Sequence, residues 1–354
     1  MTTAIIALTR QGMLSAYKIA RLFSQPPDLY IHRHSEPPSA NRAFASLREI
    51  LPDIWRKHQV LIFVMAAGIV VRQIAPFLER KDKDPAVLVV DENCRFVIPL
   101  LSGHLGGANA WARYLARELG ATAAITTATD GRGLVAPDEY ARRLGWKVEP
   151  LDKLPALNRL LLERGYLTVW TEHVLASGHP LRQDDNYLFV DDKPRADLII
   201  SAFPSHSDSK VCLIPPVLSI GVGCRKGVDA ETVKEAISLA LTKLGASTAA
   251  VKGLYSIELK AQEKGLLEAA HDLGVPFETF PSLSIQRINE KYKLSKSKFV
   301  KTEVGVDGVC EAASLLGSGM GSLILPKVKA RGVTVAISWE KSLSSESAPE
   351  IPLT

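Results

Sequence analysis

The chain has 354 residues, 46% of them apolar and 23% charged, and a formal net charge of +5. That length holds two or three domains with separate cores, and the modest positive charge fits small acidic ligands at least as well as nucleic acid. The longest apolar run, LIFVMAAGIVV at 61–71, falls well short of the roughly 20 residues that cross a bilayer. The start, MTTAIIALTRQG, lacks the basic region of a signal peptide, so a cytoplasmic location is expected.

Short β-rich runs alternate with helical patterns over the first 130 residues. AIIALT, DLYIH, VLIFVMA, AVLVVD, RFVIPLL and AAITT read as strands, with helices near 13–23, 41–57, 69–79 and 108–119. The alternation predicts an α/β fold with a mostly parallel sheet flanked by helices. Only ENC separates AVLVVD from RFVIPLL, too short for a crossover, so those two strands form a hairpin. From 131 to 216 the pattern loosens into a smaller α/β linker domain with helices at 138–144 and 154–164 and strands YLTVWTE, NYLFVDD and DLIISAF, ending at Pro215 and Pro216. A separate C-terminal α/β domain follows over 217–340. It comprises LSIGVG, a helix from Asp229 to Leu244, SIELK, a helix over 263–273, PFETF, a helix near 309–316, and two strands in LILPKVKARGVTVAISW. The tail 341–354 has no apolar periodicity and reads as disordered. The basic run at 287–301 reads as a solvated loop or a contact surface.

Four cysteines, Cys94, Cys212, Cys224 and Cys310, occur without a CxxC pair, which argues for reduced thiols rather than a zinc knuckle or a disulfide framework. No acidic or histidine cluster has metal-site spacing, so no metal site is assigned. G-x-S-x-G, H-E-x-x-H and G-K-[ST] signatures are all missing.

What stands out instead is glycine at strand-to-helix junctions. IPLLSGHLGGANA at 98–110 places Ser102, Gly103, Gly106, Gly107 and Asn109 where unpaired amides and a helix dipole attract an anion. Within it, His104 exchanges a proton near neutral pH. The plainer alternative is a tight turn with a satisfied histidine. At VMAAGIVVRQIAP, Gly68 marks the turn and Arg72 offers a guanidinium to a carboxylate or phosphate, or is simply a surface arginine. SIGVGCRKGVDAETV carries Gly221 and Gly223 with Arg225 and Lys226, but the third glycine of a dinucleotide fingerprint comes one residue late. Ligands collect at the carboxyl ends of strands in open α/β sheets. The turn Asp91-Glu92-Asn93 and the residues Thr126, Thr127 and Asp130 are therefore expected to share one crevice, unless Asp91 only stabilises its own turn.

The run from GIVVRQIAP through DPAVLVVDE, LLSGHLGGAN and ITTATD closely resembles the amino-terminal domain of the cobalt-precorrin-5A hydrolase family of anaerobic cobalamin biosynthesis. LSIGVGCRKG, SIELKAQEKGLLEAA and LILPKVKARGVTVAISW resemble its carboxyl-terminal domain. The resemblance implies an enzyme acting on a tetrapyrrole. Its substrate, a cobalt-precorrin, carries a δ-lactone joining the ring A acetate to a meso carbon, and the family opens that lactone and releases the meso carbon with its methyl group as acetaldehyde. It implies no resident cofactor, since cobalt arrives within the substrate, and neighbouring pathway enzymes as partners, without nucleic acid or membrane.

The glycine turns, with Arg72, Arg225 and Lys226, suit such a polyanion. His104 is the first choice for proton transfer, with the Gly106 and Gly107 amides as oxyanion donors and Asp91 or Glu92 as base or orienting group. Lys260 and Glu263 match the resemblance at SIELKAQE, and they are expected to contact the substrate. Two alternatives stand beside this reading: a non-catalytic tetrapyrrole-binding partner protein, and a nucleotide-dependent enzyme using the SIGVGCRKG loop.

Overall fold

A computed structural model describes residues 2–36, 42–80, 82–204, 210–294, 306–340 and 342–343. Contacts divide the chain into two compact units, Met1–Arg143 and Leu144–Ala348.

The first unit is built on a seven-stranded sheet. Its strands are β1 (Thr3–Ala7), β2 (Asp28–His32), β3 (Arg42–Phe44), β4 (Val60–Val64), β5 (Ala86–Val90), β6 (Phe96–Leu101) and β7 (Thr122–Ala123), in the order β3-β2-β1-β4-β5-β6-β7. Every neighbouring pair is parallel except β5 with β6, where Val87 faces Leu101 and Val90 faces Val97. β1, β4 and β5 are buried at every position. That is why AIIA, VLIFV and AVLVV are continuous apolar runs, because helices cover both faces. The helices are α1 (Arg10–Ala20), α2 (Leu47–Lys57), α3 (Ala67–Ile74), α4 (Ala108–Leu119), α5 (Ala128–Gly131) and α6 (Pro137–Leu144). The Thr9 hydroxyl caps α1 by accepting from the Gly12 amide at 3.0 Å.

The second unit contains two five-stranded sheets. The first uses β8 (Lys147–Glu149), β9 (Leu167–Thr171), β11 (Tyr187–Phe189), β12 (Leu198–Ile200) and β13 (Val211–Ile214) in the order β11-β9-β12-β13-β8. A short strand β10 (Val174–Leu175) pairs instead with β19 (Ser342–Leu343). The other sheet uses β14 (Leu218–Cys224), β15 (Val251–Ile257), β16 (Phe277–Phe280), β17 (Ser322–Ala330) and β18 (Val333–Trp339) in the order β16-β15-β14-β18-β17. Helices α7 (Leu154–Arg164), α8 (Pro180–Gln183), α9 (Ala230–Leu244), α10 (Lys264–Leu273), α11 (Ser282–Tyr292) and α12 (Cys310–Gly317) complete it.

Several local expectations change. The start of the predicted 41–57 helix is strand β3, because Arg42–Phe44 pairs with Tyr30–His32. AAITT contributes strand only at Thr122–Ala123. SIELK ends β15 and then turns through a 3-10 segment, Glu258–Lys260. Residues 287–292 of the basic run are helical, since Ile285, Ile288 and Asn289 of α11 are buried; residues 295–301 of that run lie outside the described residues. Of the tail expected to be disordered, Ser342–Leu343 is paired, and the rest lies outside the described residues. The first compact unit extends through Arg143.

Gly221 sits where β14 meets α12. A Cβ there would lie 1.8 Å from the Cys310 carbonyl oxygen and 2.6 Å from the Ser314 amide nitrogen, both backbone atoms that cannot swing away. Gly221→Ala is expected to destabilise the protein by about 1–3 kcal/mol or more through overpacking. Denaturant unfolding checks this, and an unchanged midpoint would contradict the packing account.

Candidate active site

β6 leaves the sheet at Leu101 and the SGHLGG loop crosses into α4. Ser102 and Gly107 both take left-handed backbone angles, φ 54° and 81°. A Cβ on Gly106 would fall 2.4 Å from the Ser102 Cβ. The loop then closes on itself: Gly107, Ala108 and Asn109 amides donate to the carbonyls of His104, Ser102 and Gly103 at 3.0, 3.1 and 3.0 Å. The Ser102 hydroxyl donates to the Asp84 carbonyl at 2.9 Å. The glycines are thus required by the fold of the loop, and the Gly107 amide is committed to it. This corrects the expectation that Gly107 supplies an open oxyanion donor; the Gly106 amide takes no part in those bonds.

The imidazole of His104 projects from this loop between two carboxylates. Nε2 lies 3.2 Å from Asp130 Oδ2, and Nδ1 lies 3.5 Å from Asp138 Oδ2. The His104 side chain is 15% exposed and that of Asp138 only 4%. Asp130 also accepts from Asn109 at 2.9 Å, from the Thr127 hydroxyl and from Arg113. Asn109, itself buried, donates to Thr127 Oγ1 at 3.0 Å. Thr129 Oγ1 approaches His104 Nε2 at 3.3 Å. Next along α6, the buried Glu139 accepts from Arg142 at 2.8 and 3.1 Å and from Arg143 at 3.0 Å. Arg142 lies over Gly107.

Burial works against charge on His104, but hydrogen bonding and charge from Asp138 and then Asp130 outweigh it and raise its pKa above 6.5. Burial likewise opposes charge on Asp130, yet Thr127, His104 and Arg113 hold its pKa below 3.8. The two carboxylates thus favour the protonated ring, which is arranged to donate a proton and to recover it from solvent under their pull.

Asp91 and Glu92 belong elsewhere. Because β6 runs against β5, the Asp91-Glu92 turn and the SGHLGG loop occupy opposite edges of the sheet, separated by the length of β5, about 15 Å at ~3.3 Å per residue. Asp91 clamps its own turn, accepting from the amides of Arg95 and Phe96 at 2.6 and 2.7 Å. Burial opposes its charge, but these bonds, with the Arg95 side chain, keep its pKa below 3.8. Glu92 accepts from the Thr9 hydroxyl at 2.6 Å. Gly68 opens α3 at this same carboxyl edge, and Arg72, in the last turn of that helix, donates back to the Gly68 carbonyl at 2.8 Å. The single crevice expected from sequence thus resolves into two edges: Ser102, Gly103, His104, Asn109, Thr127 and Asp130 on one, and Gly68, Arg72, Asp91 and Glu92 on the other. Thr126 is exposed beside the first group.

In the second unit, Gly221 and Gly223 lie within strand β14 rather than in a strand-to-helix turn. A Cβ on Gly223 would meet Thr334 Oγ1 of the neighbouring strand at 2.7 Å, so packing against α12 at Gly221 and against β18 at Gly223 accounts for both, and the phosphate-loop reading of SIGVGCRKG fails. Arg225 and Lys226 are exposed just beyond the strand. Lys260 donates to Glu263 at 2.8 Å, and Glu263 accepts from the Gly227 amide at 2.8 Å. This pair, with side chains 16% and 10% exposed, ties the Arg225-Lys226 turn to the start of α10. Its hydrogen bond to Lys260 lowers the Glu263 pKa. Among the described residues no group of three or more His, Cys, Asp or Glu is arranged to hold a metal ion, and no helix is long and apolar enough to cross a membrane.

Asp138, Glu139, Arg113 and Arg142 escaped the sequence analysis. Arg113 follows Asn109 at the i+4 spacing that puts both on one helix face, a signal that was present. Nothing in the spacing connects Asp138 to His104.

Fold and site together define a multidomain α/β protein with three helix-flanked sheets and a histidine braced by two acids. Three families match consecutive segments: Cobalamin synthesis G N-terminal at 49–130, Cobalamin biosynthesis central region at 135–215, and Cobalamin synthesis G C-terminus at 218–338. The cobalt-precorrin-5A hydrolase of Priestia megaterium is 32% identical over 358 residues, covering 95% of this chain and 94% of that protein. That of Salmonella typhimurium is 33% identical over 289 residues, covering 79% of this chain and 82% of the relative. The chain belongs to the cobalt-precorrin-5A hydrolase family.

The His104 clamp has a testable pH signature. An unfolded imidazole titrates near about 6.5 and the folded one higher. Its contribution is therefore complete below about pH 6.5 and is lost as pH rises through the folded value. The Asp130 contribution is lost only on acidification below about pH 4, outside that window. The stability difference between wild type and His104→Asn is expected to be larger at about pH 6 than at about pH 9. Equal differences in urea titrations at both values would contradict a raised pKa.

Proposed function

We propose that this protein hydrolyses the ring A acetate δ-lactone of cobalt-precorrin-5A and releases the meso carbon with its methyl as acetaldehyde, giving cobalt-precorrin-5B. Family membership over 95% of the chain carries the reading, and the braced imidazole at His104 is its chemical counterpart. The cobalt belongs to the substrate, and the protein supplies no cofactor of its own. Neighbouring enzymes of the cobalamin pathway are the partners that deliver the lactone and accept the product, in the cytoplasm.

The reaction divides into two stages. Water adds to the lactone carbonyl and the ester C–O bond breaks, leaving an acetate and a hydroxyl on the former bridging carbon. That hydroxyl then loses its proton, the bond between its carbon and the macrocycle breaks, and the electron pair passes into the conjugated ring, which takes up a proton. Acetaldehyde leaves. Each stage needs a proton delivered as well as one removed. His104, braced by Asp138 and Asp130, is the donor in this scheme, and the same acids favour its reprotonation. The exposed guanidinium of Arg72 suits a carboxylate of the substrate.

His104→Ala is expected to lower acetaldehyde release by about 100-fold or more, the usual contribution of a general acid–base group, with Asp138→Asn giving a smaller loss. Trapping the aldehyde with a reductase-coupled assay measures both. Turnover within about threefold of wild type would remove His104 from the chemistry. A wild type that binds the corrinoid yet yields no aldehyde would favour the carrier reading.

A further inference from the structure

Beside His104 a guanidinium faces solvent. Arg113 lies one turn beyond Asn109 on α4, the i+4 spacing that stacks both side chains on one face. Its Nη2 donates to Asp130 Oδ1, while the other oxygen of that carboxylate, Oδ2, lies 3.2 Å from His104 Nε2. Guanidinium and imidazole are thus pinned beside each other by the two oxygens of a single acid. Trp111, Ala112, Leu115 and Ala116 of the same helix are buried, so the backbone that carries Arg113 is fixed by the core.

The arginine that α6 brings to this loop is arranged differently. Arg142, with a side chain 13% exposed, spends Nε and Nη2 on Glu139 at 3.1 and 2.8 Å. The Arg113 side chain is 46% exposed, and among the described residues only its Nη2 is engaged. A guanidinium presents five N–H donors in a planar fork. Arg113 therefore keeps donors for a second oxygen acid without giving up Asp130.

The first stage of the proposed reaction creates the charge that such a group takes. Lactone and water are neutral, and the products are an acetate, a hydroxyl and a released proton. The water oxygen bonds to the acyl carbon and the C=O pair moves onto the acyl oxygen. That pair then returns, the ester C–O bond breaks, and the departing oxygen takes a proton from His104. Of the two protons the water brings, one restores His104 and one leaves to solvent. The acyl oxygens thus end with a full negative charge that they lacked on arrival. Because His104 gives up its proton in the same stage, Asp130 and Asp138 would repel the new carboxylate unless a cation met it.

We infer that Arg113 binds the ring A acetate as the lactone opens, its open N–H groups taking the acyl oxygens while His104 protonates the departing ester oxygen. The inference rests on the reaction proposed above. A guanidinium bonds a carboxylate far more strongly than a neutral ester. The contact therefore tightens along the reaction, which lowers the barrier rather than strengthening the hold on substrate.

Arg113→Met removes the charge and the donors and keeps a long unbranched side chain. Its kcat for acetaldehyde release should fall about 100-fold, the scale of one charge-stabilising donor, with KM for the lactone within about threefold of wild type. Inhibition by the product, cobalt-precorrin-5B, separates direct contact from an effect routed through Asp130. Loss of a charge-assisted hydrogen bond should raise the product's inhibition constant about tenfold or more, whereas an arginine that only braces Asp130 leaves that constant unchanged. A kcat within about threefold of wild type, or an unchanged product constant, overturns the assignment. If this variant does not fold, Arg113→Lys, which keeps the charge and loses the fork, should raise the product constant at least about threefold; an equal constant overturns the assignment. A wild type that forms no acetaldehyde defeats the reaction itself and this inference with it, whereas an active wild type with an equally active Arg113→Met defeats the inference alone.

Discussion

β6 is the one strand of the first sheet's interior that runs against its β5 neighbour, and the first unit's chemistry depends on that reversal. A parallel β6 would deliver its following loop to the edge where Asp91, Glu92 and the start of α3 lie. The antiparallel strand delivers it to the other, beside Asp84 and within reach of Asp130 and Asp138. The histidine consequently meets acids from α5 and α6 that are distant in sequence, while the acids closest to it along β5 serve a turn and a helix cap.

The brace around His104 has its own energetics. Asp138 is nearly inaccessible and the imidazole little more exposed. Leaving either ion alone there would be far worse than leaving both, because a buried charge without its partner carries most of its desolvation penalty uncompensated. Asp130 carries the further burden of Arg113, Asn109 and Thr127, and so remains ionised when the histidine gives up its proton. The network can therefore lose one proton without collapsing. Deprotonation leaves an acceptor nitrogen facing a carboxylate, a repulsive arrangement that draws the proton back.

Much of this was legible from residue patterns, and the failures have physical causes. Continuous runs such as VLIFV and AVLVV declare strands covered on both faces, and the three-residue ENC connection declares a hairpin. That hairpin already contained the answer about the two edges: a strand returning from Asp91 must end opposite it. The expectation of a shared crevice overlooked this consequence. β3 was hidden because three residues carry no period, and its pairing with β2 decides its conformation. Asp138 was hidden because side-chain meeting across 34 residues depends on how α6 docks, which local sequence does not encode. The GVG glycines were legible as glycines but not as packing positions, since their neighbours, Cys310 and Thr334, come from distant strands and helices.

Glycine-rich turns and unpaired donors are easily taken for the same thing, and here they part company. In SGHLGG the glycines let the chain turn back closely enough for its carbonyls to take up the amides of Gly107, Ala108 and Asn109, so the feature that suggested an anion site is also what satisfies it. At His173 and Trp339 no glycine draws the eye, yet their ring nitrogens have no hydrogen-bond partner among the described residues. A buried donor left without an acceptor destabilises a fold by about 1–3 kcal/mol, and packing the same volume with an apolar ring would avoid the loss.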